Sequence, residues 1–423
     1  MSLLNRTRPS RLLTVALALT VVVAGSACGA FDTPQARSCA WLDRTSDEKG
    51  GTGQRTVVLL DRSSSTQPDA AATQGARVPD WAATVMAARG LAQSELEGGI
   101  LSVAGFDGTR ATVDWEVDGA SVTPVEGNDM RKRDHRSSRR GCFEERLRQM
   151  SADTPSSDRT DVLGALAAAA DQLGSTEGRR RIVVATDGLV NTGCADLRSA
   201  GFDGTAEITA MVARCERTGE LPDLKSAEVS LVGIGRAARG EVPSSPQTAW
   251  LAAFWTRMCE ATAASACRVT ASARTREAGS NTEAGKTEPE VTFPAVSEQP
   301  TGRITTIILP GSVLFGTDRA ELSQAARSTL DDAARRIKEL DPVSVAVSGH
   351  TDSRGSERRG RQLSLARALA VRSALAERGT VVASVHGYSD DRPKCSPEQR
   401  DGVPDYAAMA CNRRVEIAVT VRR

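Results

Sequence analysis

The chain has 423 residues, too many for one ordinary domain, and its length predicts two or three. Its 54 Lys and Arg nearly balance 53 Asp and Glu, which argues against a whole-chain nucleic-acid binder, because neutralising phosphates needs a basic excess. Aromatic residues make up only 3% of the chain, which also argues against stacking platforms for single strands and leaves the cores to Val, Ile, Leu and Ala.

The N-terminus has the pattern of an export signal. Arg6, Arg8 and Arg11 precede an apolar run at residues 12–24 (LLTVALALTVVVA), followed by small residues and Cys28. The pattern resembles a bacterial lipoprotein signal, although that family prefers Leu where Gly25 stands. The resemblance implies cleavage after residue 27 and acylation of Cys28. Two alternatives remain: ordinary cleavage after Ala27, or retention of residues 12–31 as a span. All three export the rest. Residues 1–27 hold three Arg and no acid, so the mature chain carries 51 basic and 53 acidic groups.

Nine cysteines are present. With Cys28 lipidated, eight remain, an even number suited to an oxidising compartment. No CxxC occurs, which removes the usual zinc and redox motifs. Eight cysteines allow 105 pairings. Local spacing favours Cys194–Cys215, Cys259–Cys267 and Cys395–Cys411, which would leave Cys39 with Cys142; the pairings stay open at this point.

In chain order, residues 28–54 read as a polar tether. From residue 55 to 271, short apolar runs alternate with Ala-rich helical runs. Strands are expected at 56–60 (TVVLL), 100–106, 112–117, 182–186 (IVVAT) and 228–234. Helices are expected at 81–97, from Val162 to a C-terminal cap at Gly174, at 206–217 and at 247–259. Such alternation predicts a doubly wound, mostly parallel α/β sheet with helices on both faces. Residues 272–302, rich in Thr, Glu, Gly and Pro, read as a linker. Residues 303–423 resume periodic structure as a smaller α+β domain.

In an open α/β sheet, ligands sit beyond the carboxyl ends of the strands. The first strand ends in Asp61-Arg62-Ser63-Ser64-Ser65, and the fourth in Thr186-Asp187-Gly188. Between them lies Thr160-Asp161-Val162-Leu163 at a helix start. Oxygen donors of this kind suit a hard cation, Mg²⁺ first. The D-x-S-x-S, T-D-x-L and T-D-G segments together resemble the von Willebrand factor type A domain and its metal-ion-dependent adhesion site. The resemblance implies that the hydroxyls of Ser63, Ser65 and Thr160 contact the ion, that Asp61 and Asp187 hold it directly or through water, and that an acidic side chain of a protein partner completes the coordination. Residues 124–158, with seven basic side chains between Arg131 and Arg140, read as an inserted solvated loop stapled at Cys142.

In the C-terminal region, Leu322, Ala326, Leu330, Ala333, Ile337 and Leu340 mark an amphipathic helix, with Asp318 and Glu321 as its capping pattern. A strand is expected at 343–348. Gly349-His350-Thr351-Asp352 follows, then a second helix with Ser364 as N-cap and Arg367 in its first turn, and finally Asn412-Arg413-Arg414-Val415-Glu416-Ile417. G-H-T-D-x-x-G, L-S-x-x-R-A and N-R-R-V-E-I in this order resemble the OmpA-like peptidoglycan-binding domain. Its paired cysteines before the last strand match Cys395 and Cys411. One departure is Gly360, where the family usually has Asn. The resemblance implies that Asp352 accepts from the ammonium of the diaminopimelate stem, while the fork of Arg367 grips its carboxylate. His350 and His386 read as structural.

The expectation is a non-enzymatic, membrane-anchored envelope lipoprotein. It would bind peptidoglycan at one end and a protein partner through a divalent metal at the other, with no nucleic-acid role. A wall-modifying hydrolase lacks H-E-x-x-H and G-x-S-x-G motifs, and residues 279–287 (GSNTEAGKT) do not have the spacing of a phosphate-binding loop. A stator-like single-span protein would need an ionisable residue inside residues 12–31, where none occurs.

Overall fold

The computed structural model describes residues 39–45, 53–68, 76–88, 98–124, 126–175, 178–278, 285–316, 319–324, 326–400 and 402–422. Residues 1–38, on which the expected signal and Cys28 fall, Asp318 and most of residues 279–287 lie outside these. Among the described residues no helix is long and apolar enough to cross a membrane.

Arg55–Asp61 is the hinge of the first domain. Its apolar residues are fully buried and alternate between two cores. Val57 and Leu59 pack with Val162, Leu166, Trp250 and Phe254 on one face, while Val58 and Leu60 pack with Trp81, Phe143 and Leu147 on the other. This two-sided burial is why the strand reads as a continuous apolar run rather than an alternating one. The six-stranded sheet runs Asp114–Val122, Gly99–Phe106, Arg55–Asp61, Arg180–Ala185, Ala227–Val232, Ala266–Thr270. All neighbours are parallel except the first pair. The direction of winding reverses between Arg55–Asp61 and Arg180–Ala185, so their carboxyl ends open a crevice. Helices Trp81–Ala87 and Asp129–Ser151 cover one face; Val162–Leu173, Thr205–Thr218 and Ser245–Ala261 cover the other.

The second domain is a five-stranded sheet in the order Ser384–Gly387, Pro342–Gly349, Arg414–Val421, Ile304–Pro310, Ser297–Thr301. The long helices Ala326–Glu339 and Glu357–Glu377 pack on one face through Leu330, Ile337, Val371 and Leu375. The molecule therefore has the expected class, a mostly parallel α/β sheet and a smaller α/β domain. Cys194–Cys215, Cys259–Cys267 and Cys395–Cys411 pair as local spacing favoured, and the remaining pair is Cys39–Cys142.

Five expectations are corrected. Residues 129–151 form a 23-residue helix capped by Asn128, not a loop; its apolar contacts, Cys142, Phe143, Leu147 and Met150, all fall in the C-terminal half. The segment read as a linker is not a free string. Arg274–Glu277 pairs with Arg77–Asp80, Val291 and Phe293 are buried in the first core, and Ser297–Thr301 is an edge strand of the second sheet. The tether likewise docks near its end, where Leu42 is buried and Cys39 is cross-linked. In the second domain Ser364 does not cap a helix. Helix Glu357–Glu377 begins about two turns earlier, with Ser356 accepting from the Arg359 amide, so Arg367 sits in mid-helix and gains nothing from the helix N-terminus. Finally, the first helix of this domain starts at Ala326, whose amide donates to Ser323 Oγ; Leu322 and Glu321 precede it.

Candidate functional site

Sheet topology brings Asp61, Ser63, Ser65, Thr160 and Asp187 to one mouth. Asp61 ends the first strand and is 2% exposed. Its Oδ1 accepts from the Ser63 amide at 2.9 Å and its Oδ2 from the Thr186 hydroxyl at 2.6 Å. The Thr66 hydroxyl donates to the carbonyls of Asp61 and Ser63, which folds residues 61–66 into a tight turn. That turn places the Ser63 and Ser65 hydroxyls 3.1 Å apart. Thr160 reaches the mouth because Asp107 holds the preceding loop: its Oδ2 accepts from the Ser156 amide and hydroxyl and from the Ser157 amide. Asp161 then caps helix Val162–Leu173 through the Gly164 amide.

Asp187 is fully buried. One oxygen accepts from the Leu189 amide at 2.9 Å; the other, Oδ2, is buried without a hydrogen-bond partner. Burial pushes its pKa up to about 6 against the Leu189 amide and the Ser65 hydroxyl, with the negative charge of Glu288 adding a little. Asp61 is also raised well above the usual carboxylate range, first by burial and then by the charge of Asp187. Buried like charges at one point are unfavourable unless a cation lies among them. Three hydroxyls and two carboxylates, one of them with an orphaned oxygen, offer the hard-oxygen chemistry of a divalent-cation site. Among the described residues no three His, Cys, Asp or Glu side chains form a metal cluster by themselves, so the hydroxyls are indispensable to this set.

Three further residues at this mouth are given no role by the sequence reading. Thr186 orients Asp61, and the Gly188 amide donates to the Thr186 hydroxyl in turn. Asn191 accepts from the Thr160 amide at 2.8 Å. Glu288 comes from the segment read as a linker. Its Oε1 accepts from the Ser65 amide at 2.9 Å and the Ser64 hydroxyl at 3.2 Å; its Oε2 accepts from the Thr160 hydroxyl and from Asn191 Nδ2 at 2.8 Å. Thr186 opens the T-D-G segment, which is the signal that marks it, but only the tertiary fold reveals Glu288.

On the second domain, Asp352 follows the Pro342–Gly349 strand and is 6% exposed. Its ion-pair partners are Arg354 and Arg413 rather than Arg367. Oδ2 accepts from Arg354 at 2.7 Å and from Arg413 at 2.6 Å, and Oδ1 from the Arg354 amide. Burial alone would raise its pKa, but the Arg354 hydrogen bonds and the Arg413 charge outweigh it and hold the carboxyl below its ordinary value. Arg367 is 3% exposed, donates to the Arg319 carbonyl and lies over the Phe315 ring at 5.0 Å. Arg367 itself lies close to the Arg413 backbone: a Cβ built at Gly311 would stand 2.9 Å from the Arg413 carbonyl and 3.6 Å from Arg367 Nη1.

Two glycines explain the local sequence. A side chain at Gly349 would meet the Ser364 carbonyl at 2.0 Å, so strand and helix approach this closely only with glycine there. At Gly360 the space is taken by Ser389, whose Oγ would lie 2.2 Å from a Cβ. His350 is structural: buried, it faces Ser348 at 3.3 Å and Glu416 at 3.7 Å. The His350 ring beside it, more than burial opposes it, draws Glu416 down to about 2, with Arg414 contributing.

Arg413 also reaches the first domain, donating to Asp203 at 2.7 Å while Asp203 and Arg413 are both nearly buried. Burial opposes its charge, yet the two carboxylates hold its pKa above the ordinary arginine value. Glu207 lies beneath this pair, accepting from the Gly201 amide at 2.6 Å and the Asp203 amide at 3.4 Å.

Residues 314–404 match the OmpA family. Over 113 residues the chain is 33% identical to the outer-membrane lipoprotein YfiB of Pseudomonas aeruginosa, covering 26% of this chain and 64% of that protein. Over 109 residues it is 35% identical to the peptidoglycan-binding protein ArfA of Mycobacterium tuberculosis, covering 26% and 32%. Over 114 residues it is 30% identical to the outer membrane protein Omp38 of Acinetobacter baumannii, covering 26% and 30%. The chain thus spans under a third of the length of Omp38 and ArfA. The C-terminal region is an OmpA-like domain.

Proposed function

We propose that this protein is a non-enzymatic envelope lipoprotein, lipidated at Cys28, with two binding ends. Its OmpA-like domain holds peptidoglycan. Its first domain, similar to a von Willebrand factor type A domain, binds a protein partner through a divalent cation such as Mg²⁺. The observation that carries the first-domain reading is the convergence of Asp61, Ser63, Ser65, Thr160 and Asp187, with one Asp187 oxygen orphaned in the interior. Bound there, the cation supplies a Lewis-acid contact for an incoming carboxylate. The chain's own residues supply rigidity: Thr186 and the Ser63 amide fix Asp61, and Asp107 fixes the Thr160 loop.

For the wall end, support comes from the OmpA match and from the names of relatives described as a peptidoglycan-binding protein and an outer-membrane lipoprotein. Asp352 takes the stem ammonium in exchange for part of its pairing with Arg354, the more exposed of its two arginine partners. Arg367, braced by Arg319 and Phe315, meets the stem carboxylate.

Sedimentation with insoluble peptidoglycan tests this end. Wild type is retained, and Asp352→Ala and Arg367→Ala are released; full retention of both variants rejects the wall site. Calorimetric Mg²⁺ titration tests the other end, and equal curves for wild type and the Ser63→Ala, Asp187→Ala double variant reject the metal site.

A further inference from the structure

We infer that Glu288 is an internal ligand of the metal mouth: it holds the place that a partner's acidic side chain would take, so that residues 285–290 form a built-in stopper. The inference rests on the metal-site reading above and adds a specific occupant.

Glu288 meets three separate parts of the mouth. Its carboxylate accepts from Ser64 and Ser65 after the first strand, from Thr160 before the third helix, and from Asn191 after the fourth strand. Thr160 and Ser65 are among the five residues expected to hold the ion. A carboxylate that only braced a surface turn would gain nothing by facing Asp187, whose like charge repels it. The arrangement makes sense when a cation lies among the acids.

The segment is delivered rather than accidental. The Lys286 amide donates to the Pro155 carbonyl on one side of the mouth. On the other side Val291 and Phe293 are buried in the first core, with the Phe293 ring 4.6 Å from that of Phe202 and its amide bonded to Glu241. Glu288 lies between these fixings, half-buried. The space left beside it, lined in part by Ser64, Leu189, Arg239 and Glu290, is about 20 Å³. That volume holds one water and no side chain. A partner carboxylate therefore enters only when Glu288 leaves, which can happen by lifting residues 285–290 while Val291 and Phe293 stay seated.

Mn²⁺ is the probe, because the number of exchangeable waters on it is read from water-proton relaxation. Full-length wild type, Glu288→Gln and Glu288→Ala are compared, with acetate as a soluble carboxylate. The expected result is a relaxivity for Mn²⁺ bound to either variant that is higher by about one coordinated water. Acetate should lower that relaxivity in the variants and leave wild type unchanged. Protease cleavage within 285–290 should also rise in both variants. Mn²⁺ binding with identical relaxivity and acetate response in all three proteins overturns the stopper and leaves the metal site standing. Absence of Mn²⁺ binding in all three overturns the metal site and the stopper with it.

Discussion

At the mouth of the first sheet, Asp61, Asp187 and Glu288 are held by hydroxyls, backbone amides and the Asn191 amide, whereas Asp352 on the second sheet is held by two guanidinium groups. Both regions bury negative charge. In the second, the compensating charge is covalently part of the chain, so the site is electrically complete when folded. In the first, the compensation must come from outside, which makes that mouth responsive to an added ion. The difference shows up in the direction of the shifts: Asp61 and Asp187 are raised and Asp352 is lowered, although all three are substantially buried.

The comparison breaks most easily at Arg413. Arg413→Ala strands the buried Asp203 and leaves Asp352 to Arg354 alone, and should cost roughly 3–5 kcal/mol in denaturant unfolding. A loss below 1 kcal/mol would mean that the second region is not self-compensated.

Glu207 gives the next largest effect. Burial, with Asp203 adding, raises it to about 7 from an ordinary 4.5, against the Gly201 and Asp203 amides and Arg413. The folded state thus keeps a proton between these values that the unfolded state has released. Stability should be full below pH 4.5 and fall as pH rises to 7. The drop should be on the order of 3 kcal/mol. Glu207→Gln should flatten this part of a pH series of thermal melts, and an unchanged slope would reject the assignment.

Ion addition sharpens the contrast from the other side. Mg²⁺ at about a hundred times its dissociation constant should stabilise the first domain by about 2.7 kcal/mol, and a chelator should remove the gain. The Ser63→Ala, Asp187→Ala protein should melt identically with and without Mg²⁺. The smallest expected effect is at Arg354, which is partly exposed: Arg354→Ala should cost under about 1 kcal/mol because Arg413 still holds Asp352. Equal costs at Arg354 and Arg413 would erase the distinction between a surface partner and a buried one.

Much of this was legible because it is local. The two-sided burial of residues 57–60 and 182–185 shows as unbroken apolar runs, and the mouth residues sit at the ends of those runs. What was hidden is hidden for physical reasons. Helix Asp129–Ser151 buries side chains only in its second half, so its first half carries no periodic signal. Ser364 precedes an apolar helical stretch and imitates a cap, but its hydroxyl bonds the Arg361 carbonyl inside a longer helix. Glu288 lies 128 residues from Thr160 and 223 from Ser65, and no pattern in sequence spans such separations.

The Cys39–Cys142 bond has a mechanical consequence. Tension arriving along the chain from before residue 39 meets this cross-link ahead of the central Arg55–Asp61 strand. The pull is diverted sideways into helix Asp129–Ser151, which is seated on the sheet through Phe143 and Leu147. Load is thereby spread over a broad face instead of unzipping a single ladder from its end. The innermost strand, which carries Asp61, is shielded from strain until a covalent bond gives way.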